Sequence, residues 1–202
     1  RRERLREGAG GITSFNIDRH GQQFVFTLSG RLFCGDLRTF EIREVKTTGS
    51  VFDPRIAPTG NRIAHVSGKA LRIVDLDGED FELAGPTTLN EPAHVSWGSA
   101  EFVAAEEMNR YRGYWWAPAG HHIAACRVDE SPIVEWFIAD PAHPERQPTA
   151  IRYPAAGTNN ALVSLYVIHV IDSARVAITW DVESFPYLTT VEWIDDDSLL
   201  LS

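Results

Sequence analysis

Eleven positions, Glu106 to Trp116, read Glu-Glu-Met-Asn-Arg-Tyr-Arg-Gly-Tyr-Trp-Trp and gather more charge and aromatic surface than any other stretch of the chain. Two adjacent carboxylates can do one of two things. They can grip a single ammonium group, each attracting it at about 4 Å by roughly 1 kcal/mol in water and by about 4 where the effective dielectric constant is near 20. Or they can form helix-surface ion pairs, because Glu106 and Glu107 stand four and three residues before Arg110 and those spacings bring side chains together on one helical face. Neighbours on a strand point to opposite faces, so convergence on one ligand requires a helical turn or a loop. Ala104, Ala105 and Met108 are good helix formers, and the stretch is expected to be a short helix.

Other chemistry is hard to find. A serine nucleophile needs a Gly-x-Ser-x-Gly elbow, and neither Gly11-Ile-Thr-Ser-Phe15 nor Ser96-Trp-Gly-Ser99 supplies one, so no catalytic residue is assigned in this chain. His121 and His122 are adjacent and diverge on a strand, without a carboxylate or Cys at a zinc-ligand spacing, so neither a metal nor another cofactor is expected. Cys34 and Cys126 lie in apolar, strand-like surroundings and read as buried free thiols, which favours a reducing compartment. Trp115 and Trp116 open a strand and read as core, with a cation-π wall for an ammonium as the lesser reading. Tyr111 and Tyr114 are left open as pocket-lining side chains.

The elements that must position the glutamates repeat. Phe15 to Gly21, Arg55 to Gly60 and Trp115 to Gly120 each end a polar or Pro-containing turn in Gly, and an apolar strand follows at once. These strands are Gln23–Leu28, Arg62–Val66 and His122–Cys126, and the next ones are Arg31–Leu37, Ala70–Leu76 and Ile133–Ile138. Each pair is expected to form a hairpin. Gly21 and Gly60 are 39 residues apart, near the roughly 40 to 50 of a propeller blade. Gly60 and Gly120 are 60 apart, so about twenty extra residues, the glutamates among them, are inserted between blades, where function can be added without disturbing packed sheets.

Pro141, Pro144, Pro148 and Pro154 mark the run from Pro141 to Gly157 as connection rather than core. Ala161–Ile171 and Arg175–Val182 alternate as strands, and Val191–Asp197 leading into Ser198–Leu201 begins a fourth blade. The class is therefore all-β: a partial β-propeller of about three to four blades with a short helical insertion carrying the Glu-Glu pair. Residues 1–10 form an Arg-rich arm or helix ahead of it, and 11–202 form the truncated propeller. Open apolar faces at both ends of an incomplete blade set predict a homo-oligomer, or further sequence that covers them.

At 44% hydrophobic and 23% charged, the composition is that of an ordinary globular domain. A net charge of −9 excludes a nucleic-acid backbone as partner and favours cationic or neutral ligands. No apolar run approaches the ~20 residues of a membrane span, and the arginines near the N-terminus precede no apolar segment of the kind a secretory signal needs.

The stretch Glu106 to Pro118 resembles the double-glutamate motif of the dipeptidyl peptidase IV family, most closely its cytosolic branch. The usual form there is Glu-Glu, an apolar residue, Asp-Arg, then Gly-Tyr-Trp-Trp; Asn109 replaces the Asp here. Arg4-Leu-Arg6 with Gly11-Ile-Thr-Ser-Phe15 is similar to the same branch, as is Arg152-Tyr-Pro154 with Ala156-Gly157. The resemblance implies part of an eight-bladed propeller belonging to a serine dipeptidyl aminopeptidase of the cytoplasm. It also implies that Glu106 and Glu107 anchor the free amine of a short peptide, that Arg6 contacts the peptide backbone, and that an α/β-hydrolase domain beyond Ser202 carries the nucleophile. A non-catalytic propeller binding peptides or protein partners is the alternative.

Overall fold

The computed structural model describes residues 11–76 and 78–202; the Arg-rich arm, Arg6 included, lies outside the described residues. Strands β1 (Ile12–Ile17), β2 (Gln23–Leu28), β3 (Arg31–Asp36) and β4 (Ile42–Val45) form one antiparallel sheet in sequence order. A second sheet repeats the plan with β5 (Phe52–Ile56), β6 (Arg62–Ser67), β7 (Ala70–Asp75) and β8 (Asp80–Ala84). The turns between first and second strands close as their composition dictates. In the first sheet the Asp18 carboxylate accepts from the Gln22 and Gln23 amides at 2.7 and 2.8 Å, while Gly21 takes a left-handed φ of 64°.

The third sheet departs from this plan. Helix α1 (Pro86–Leu89) is followed by β9 (Val95–Trp97) and helix α2 (Phe102–Glu107) by β10 (Tyr114–Trp116), and the two strands lie in succession along one edge of β11 (His122–Asp129). The other edge of β11 pairs with β14 (Leu162–His169), and β15 (Arg175–Ile178) completes the sheet. The expected hairpin between His122–Cys126 and Ile133–Ile138 does not form. Instead β12 (Glu135–Ile138) pairs with β13 (Thr149–Arg152), inside the Pro-rich run read as connection, and makes a separate two-stranded arm. The strand that forms, Glu135–Ile138, is short, and its apolar residues Trp136, Phe137 and Ile138 stay exposed on the arm rather than joining the core beside β11. The fourth unit is a hairpin of β16 (Val191–Trp193) and β17 (Leu199–Leu201).

Sheets stack face to face as propeller blades do. Val25, Leu32, Cys34 and Val45 meet Ile56, Ile63 and Val74 between the first and second. Ala64, Val66, Leu71 and Ile73 meet Trp97, Tyr114, Ile123 and Ile168 between the second and third. Ala124, Cys126 and Leu165 meet Leu188 and Val191 between the third and the final hairpin, which is pinned by Trp193 Nε1 donating to the Trp115 carbonyl at 3.1 Å. Because the central strands are covered on both sides, Ile63 to Val66 and Ile123 to Cys126 are buried without alternation. Each Ile or Leu so buried contributes about 1.5–3 kcal/mol. The fold is thus all-β and a partial propeller. Its first sheet leaves an apolar outer face, on which Phe15 and Ile42 remain 67% and 56% exposed and Phe24, Phe26 and Phe33 stack in a row.

Candidate functional site

The glutamates sit on a loop pinched shut at its neck. The Gly98 amide donates to the Cys126 carbonyl at 2.9 Å, the Cys126 amide donates to the Gly113 carbonyl at 2.8 Å, and Ser99 bridges Arg112. At Gly113 an added Cβ would lie 2.4 Å from the Ser99 carbonyl carbon and 2.5 Å from that of Gly98, so only glycine permits this approach. Residues 99–112 therefore form a compact Ω-like loop that adds a helix without interrupting the sheet.

Helix α2 begins at Glu101, whose buried carboxylate accepts from the Val103 and Ala104 amides. This is an N-cap by a longer acid than usual, matched to the positive end of the helix. Ala104 and Ala105 face inward, which leaves Glu106 and Glu107 exposed at the C-terminal end. Carboxylates there oppose the helix dipole, and no basic residue occupies the last turn. The helix is stopped by Asn109 at a φ of 54°, while the Arg110 amide returns to the Ala104 carbonyl at 2.9 Å. Asn tolerates this left-handed conformation better than most other side chains, and Asp, the residue at this place in the motif that the stretch resembles, shares that tolerance.

That turn overturns the surface ion pairs. Arg110 is carried away from both glutamates and buried, only 7% exposed. Its Nε donates to the Leu188 carbonyl at 2.9 Å, a guanidinium NH donates to the Arg112 carbonyl at 2.7 Å, and the group lies 5.9 Å from the centre of the Trp115 ring. Among the described residues neither glutamate forms an ion pair. Arg110 also lies against Cys126, whose thiol burial pushes up to about 11 despite the opposing effect of the nearby guanidinium. The two cysteines are free and buried, as read from the sequence.

The third motif meets the first. Tyr153 packs edge-on to Phe102 of α2 with ring centres 5.1 Å apart, and Arg152 donates to the carbonyls of Glu130 and Ile133 at 3.2 and 2.8 Å. Trp115 and Trp116 are half-buried against the cores on either side of the third sheet. Tyr114 lines no pocket: it is fully buried, its hydroxyl lying against the carbonyls of Asp53 and Ala64.

A neighbouring cluster went unseen in the sequence. Arg112 and Tyr114 share a side of the chain leading into β10, directed at β5 of the second sheet. There Arg55 holds Asp53 Oδ1 with two nitrogens at 2.8 and 2.6 Å, and Trp116 Nε1 donates to the Arg55 carbonyl at 3.2 Å. Asp53 is buried at a φ of 45°, and its Oδ2 has no hydrogen-bond partner. Burial lowers the Arg112 pKa, the like charge of Arg55 lowers it further, and Asp53 works against both. Only the placing of Arg112 and Tyr114 on either side of Gly113 hinted at this grouping. Among the described residues no three His, Cys, Asp or Glu side chains gather as metal ligands, and no helix is long and apolar enough to cross a membrane.

Residues 15–202 match the family model described as the dipeptidyl peptidase IV N-terminal region. The chain is similar to dipeptidyl peptidase 8 of Homo sapiens, 26% identical over 199 residues that cover 86% of this chain and 22% of that protein. Dipeptidyl aminopeptidase B of Saccharomyces cerevisiae is 26% identical over 163 residues, covering 72% of this chain and 18% of its own length. The crystal structure of Porphyromonas gingivalis dipeptidyl peptidase 4 superposes with a TM-score of 0.75 at 20% identity, over 98% of this chain and 30% of that one, a likeness of fold. The chain spans about a fifth of the length of these curated relatives.

Proposed function

Since the chain belongs to the dipeptidyl peptidase IV N-terminal region family, we propose that it is the substrate-gating propeller portion of a serine dipeptidyl aminopeptidase. In this reading Glu106 and Glu107 receive the ammonium of a short peptide with a free N-terminus, and Arg6 contacts the peptide backbone. The nucleophile belongs to a C-terminal α/β-hydrolase domain beyond Ser202, in a cytoplasmic enzyme. Binding at the amine then serves to position the second peptide bond, which is how a remote grip becomes rate.

The observation that carries the reading is the pair of exposed carboxylates at the wrong end of α2. They oppose the helix dipole by about 0.3–1 kcal/mol each, and their nearest sequence partner, Arg110, is buried elsewhere. A local rule broken without structural gain points to function. Self-association is part of the proposal too, supported by the open aromatic face of the first sheet and by the arm of β12 and β13, where Trp136 and Phe137 are exposed. The alternative, a non-catalytic peptide-binding propeller, keeps the same amine site and lacks turnover.

The test is hydrolysis of an Ala-Pro reporter by the full-length protein, with Glu106→Gln and Glu107→Gln beside it and an N-acetylated reporter as control. Each carboxylate contributes about 1–4 kcal/mol to holding the amine, so kcat/KM falls roughly 5- to 1000-fold in each variant, and the acetylated reporter is ignored. Undiminished activity in the variants, or indifference to acetylation, refutes the amine anchor. Peptide binding without turnover selects the alternative.

A further inference from the structure

We propose that Arg112, seated beside Arg55, forms a carboxylate-binding subsite next to the paired glutamates, so that the preferred ligand is a peptide carrying an anionic group as well as a free amine. This rests on the amine-anchor reading above. Arg112 stands at the neck of the loop whose helix presents Glu106 and Glu107, and its partner across the neck is Ser99. The backbone that carries Arg112 and the loop that carries the glutamates are thus held together by the pinch at Gly98 and Gly113.

The charge count of the cluster is unbalanced. Arg55 and Arg112 share one carboxylate, Asp53, and Arg55 engages it through Oδ1 alone with two nitrogens. Asp53 Oδ2 is buried without a donor, and the Arg112 side chain forms no hydrogen bond or ion pair with a described residue. Tyr114, the next side chain on that face, is neutral and committed to backbone carbonyls. A guanidinium stays charged at any relevant pH and offers a planar fork of donors matched to a carboxylate. Partly desolvated, and sharing with Arg55 the single carboxylate of Asp53 among the described residues, it gains more from an incoming anion than an exposed arginine would. Adjacent negative and positive subsites suit a dipolar peptide.

The carboxylate can come from an acidic first residue, an acidic third residue or the C-terminus, and four peptides separate these sources. They are Glu-Pro-Gln amide, Gln-Pro-Glu amide, Gln-Pro-Gln free acid and the neutral Gln-Pro-Gln amide, each N-methylated at the third residue to resist hydrolysis. Binding to the full-length protein is measured by calorimetry, for the parent, Arg112→Gln and Arg112→Lys, with N-acetylated copies of each peptide. The expected result is that one acidic peptide binds the parent at least about tenfold more tightly than the neutral one, roughly the worth of one charge pair. Arg112→Gln brings the two within twofold, Arg112→Lys retains part of the preference, and acetylation weakens binding to all three proteins. Equal binding of all four peptides to the parent, or a preference that survives in Arg112→Gln, overturns the subsite. If acetylation still weakens binding in that case, the amine anchor stands; if acetylation has no effect, both readings fall.

Discussion

Replacing Arg110 by Met separates a surface charge from a buried clamp. As a partner for Glu106 on an exposed helix face, Arg110 would contribute about 0.3–0.5 kcal/mol. The structure instead gives it two hydrogen bonds from a charged donor to carbonyls, at 2.9 Å to Leu188 and 2.7 Å to Arg112, from a position only 7% exposed. Each such bond contributes about 1.5–3 kcal/mol, and its loss leaves a buried acceptor unpaired. Met keeps the stem's packing against Trp115 and Cys126, so the expected loss is about 3–5 kcal/mol, near the upper end for a single substitution. Lys reaches one carbonyl and recovers roughly half. Urea unfolding followed by tryptophan fluorescence reads the difference, since the six indoles all lie from Trp97 onward, in and beside the part of the fold that Arg110 clamps. A parent-like midpoint, within about 0.5 kcal/mol, would refute the clamp. Because Arg110 links the turn after α2 to the chain before β16, the Met variant is also expected to lose peptide hydrolysis while Glu106 and Glu107 remain.

The remaining predictions concern the neck, the second sheet and a thiol. Gly113→Ala places a methyl 2.4 Å from the Ser99 backbone and is expected to cost about 2–4 kcal/mol as the neck opens; a thermal midpoint equal to the parent's refutes the close approach. Burial alone would raise the Asp80 pKa, but hydrogen bonds from His65 and the Thr48 amide, with the charges of His65 and Arg72, outweigh it and leave it below the ordinary aspartate value. Its folded pKa is the lower one, so its contribution is complete above about pH 4 and is lost as the pH falls through the folded value. Unfolding curves for Asp80→Asn should therefore show lower stability at neutral pH and a shallower acid decline, and an unchanged slope would remove Asp80 from the cause. Cys126, pushed up to about 11 by burial, should resist a thiol reagent at pH 8 until the protein unfolds; labelling of the native protein at the rate of a free thiol contradicts its placement.

The Gly-ended turns made much of the fold legible. Gln23–Leu28 is β2 as read, and Arg31, Arg62, Ala70 and His122 each begin the strand expected of them, because a Gly with left-handed φ followed by apolar residues allows little else. The outer strands were not legible, since Ile42-Arg-Glu-Val45 and Asp80-Phe-Glu-Leu-Ala84 carry too much charge to stand out from loops. The pairing of β11 with β14 was missed for another reason: the partner lies beyond an independent hairpin, and nothing local announces a non-local rung. At the site, the helix and the exposure of the glutamates followed from Ala104-Ala105-Glu-Glu, whereas the fate of Arg110 depended on one left-handed residue, Asn109, which rotates everything after it. Charge spacing assumes that a helix continues, and here it stops one turn too soon.

The long interruption of the third sheet has an evolutionary consequence. Asp129 of β11 and Leu162 of β14 face each other on the last shared rung, so residues 130–161 leave and re-enter at the same point, and β12 and β13 satisfy their ladder hydrogen bonds with each other. Such a cassette can grow, shrink or be exchanged between lineages without changing the register of the blade beneath it. Selection can then reshape the rim of the molecule, with Tyr153, packed on Phe102 of α2, as the point of the cassette tied to the loop that holds Glu106 and Glu107.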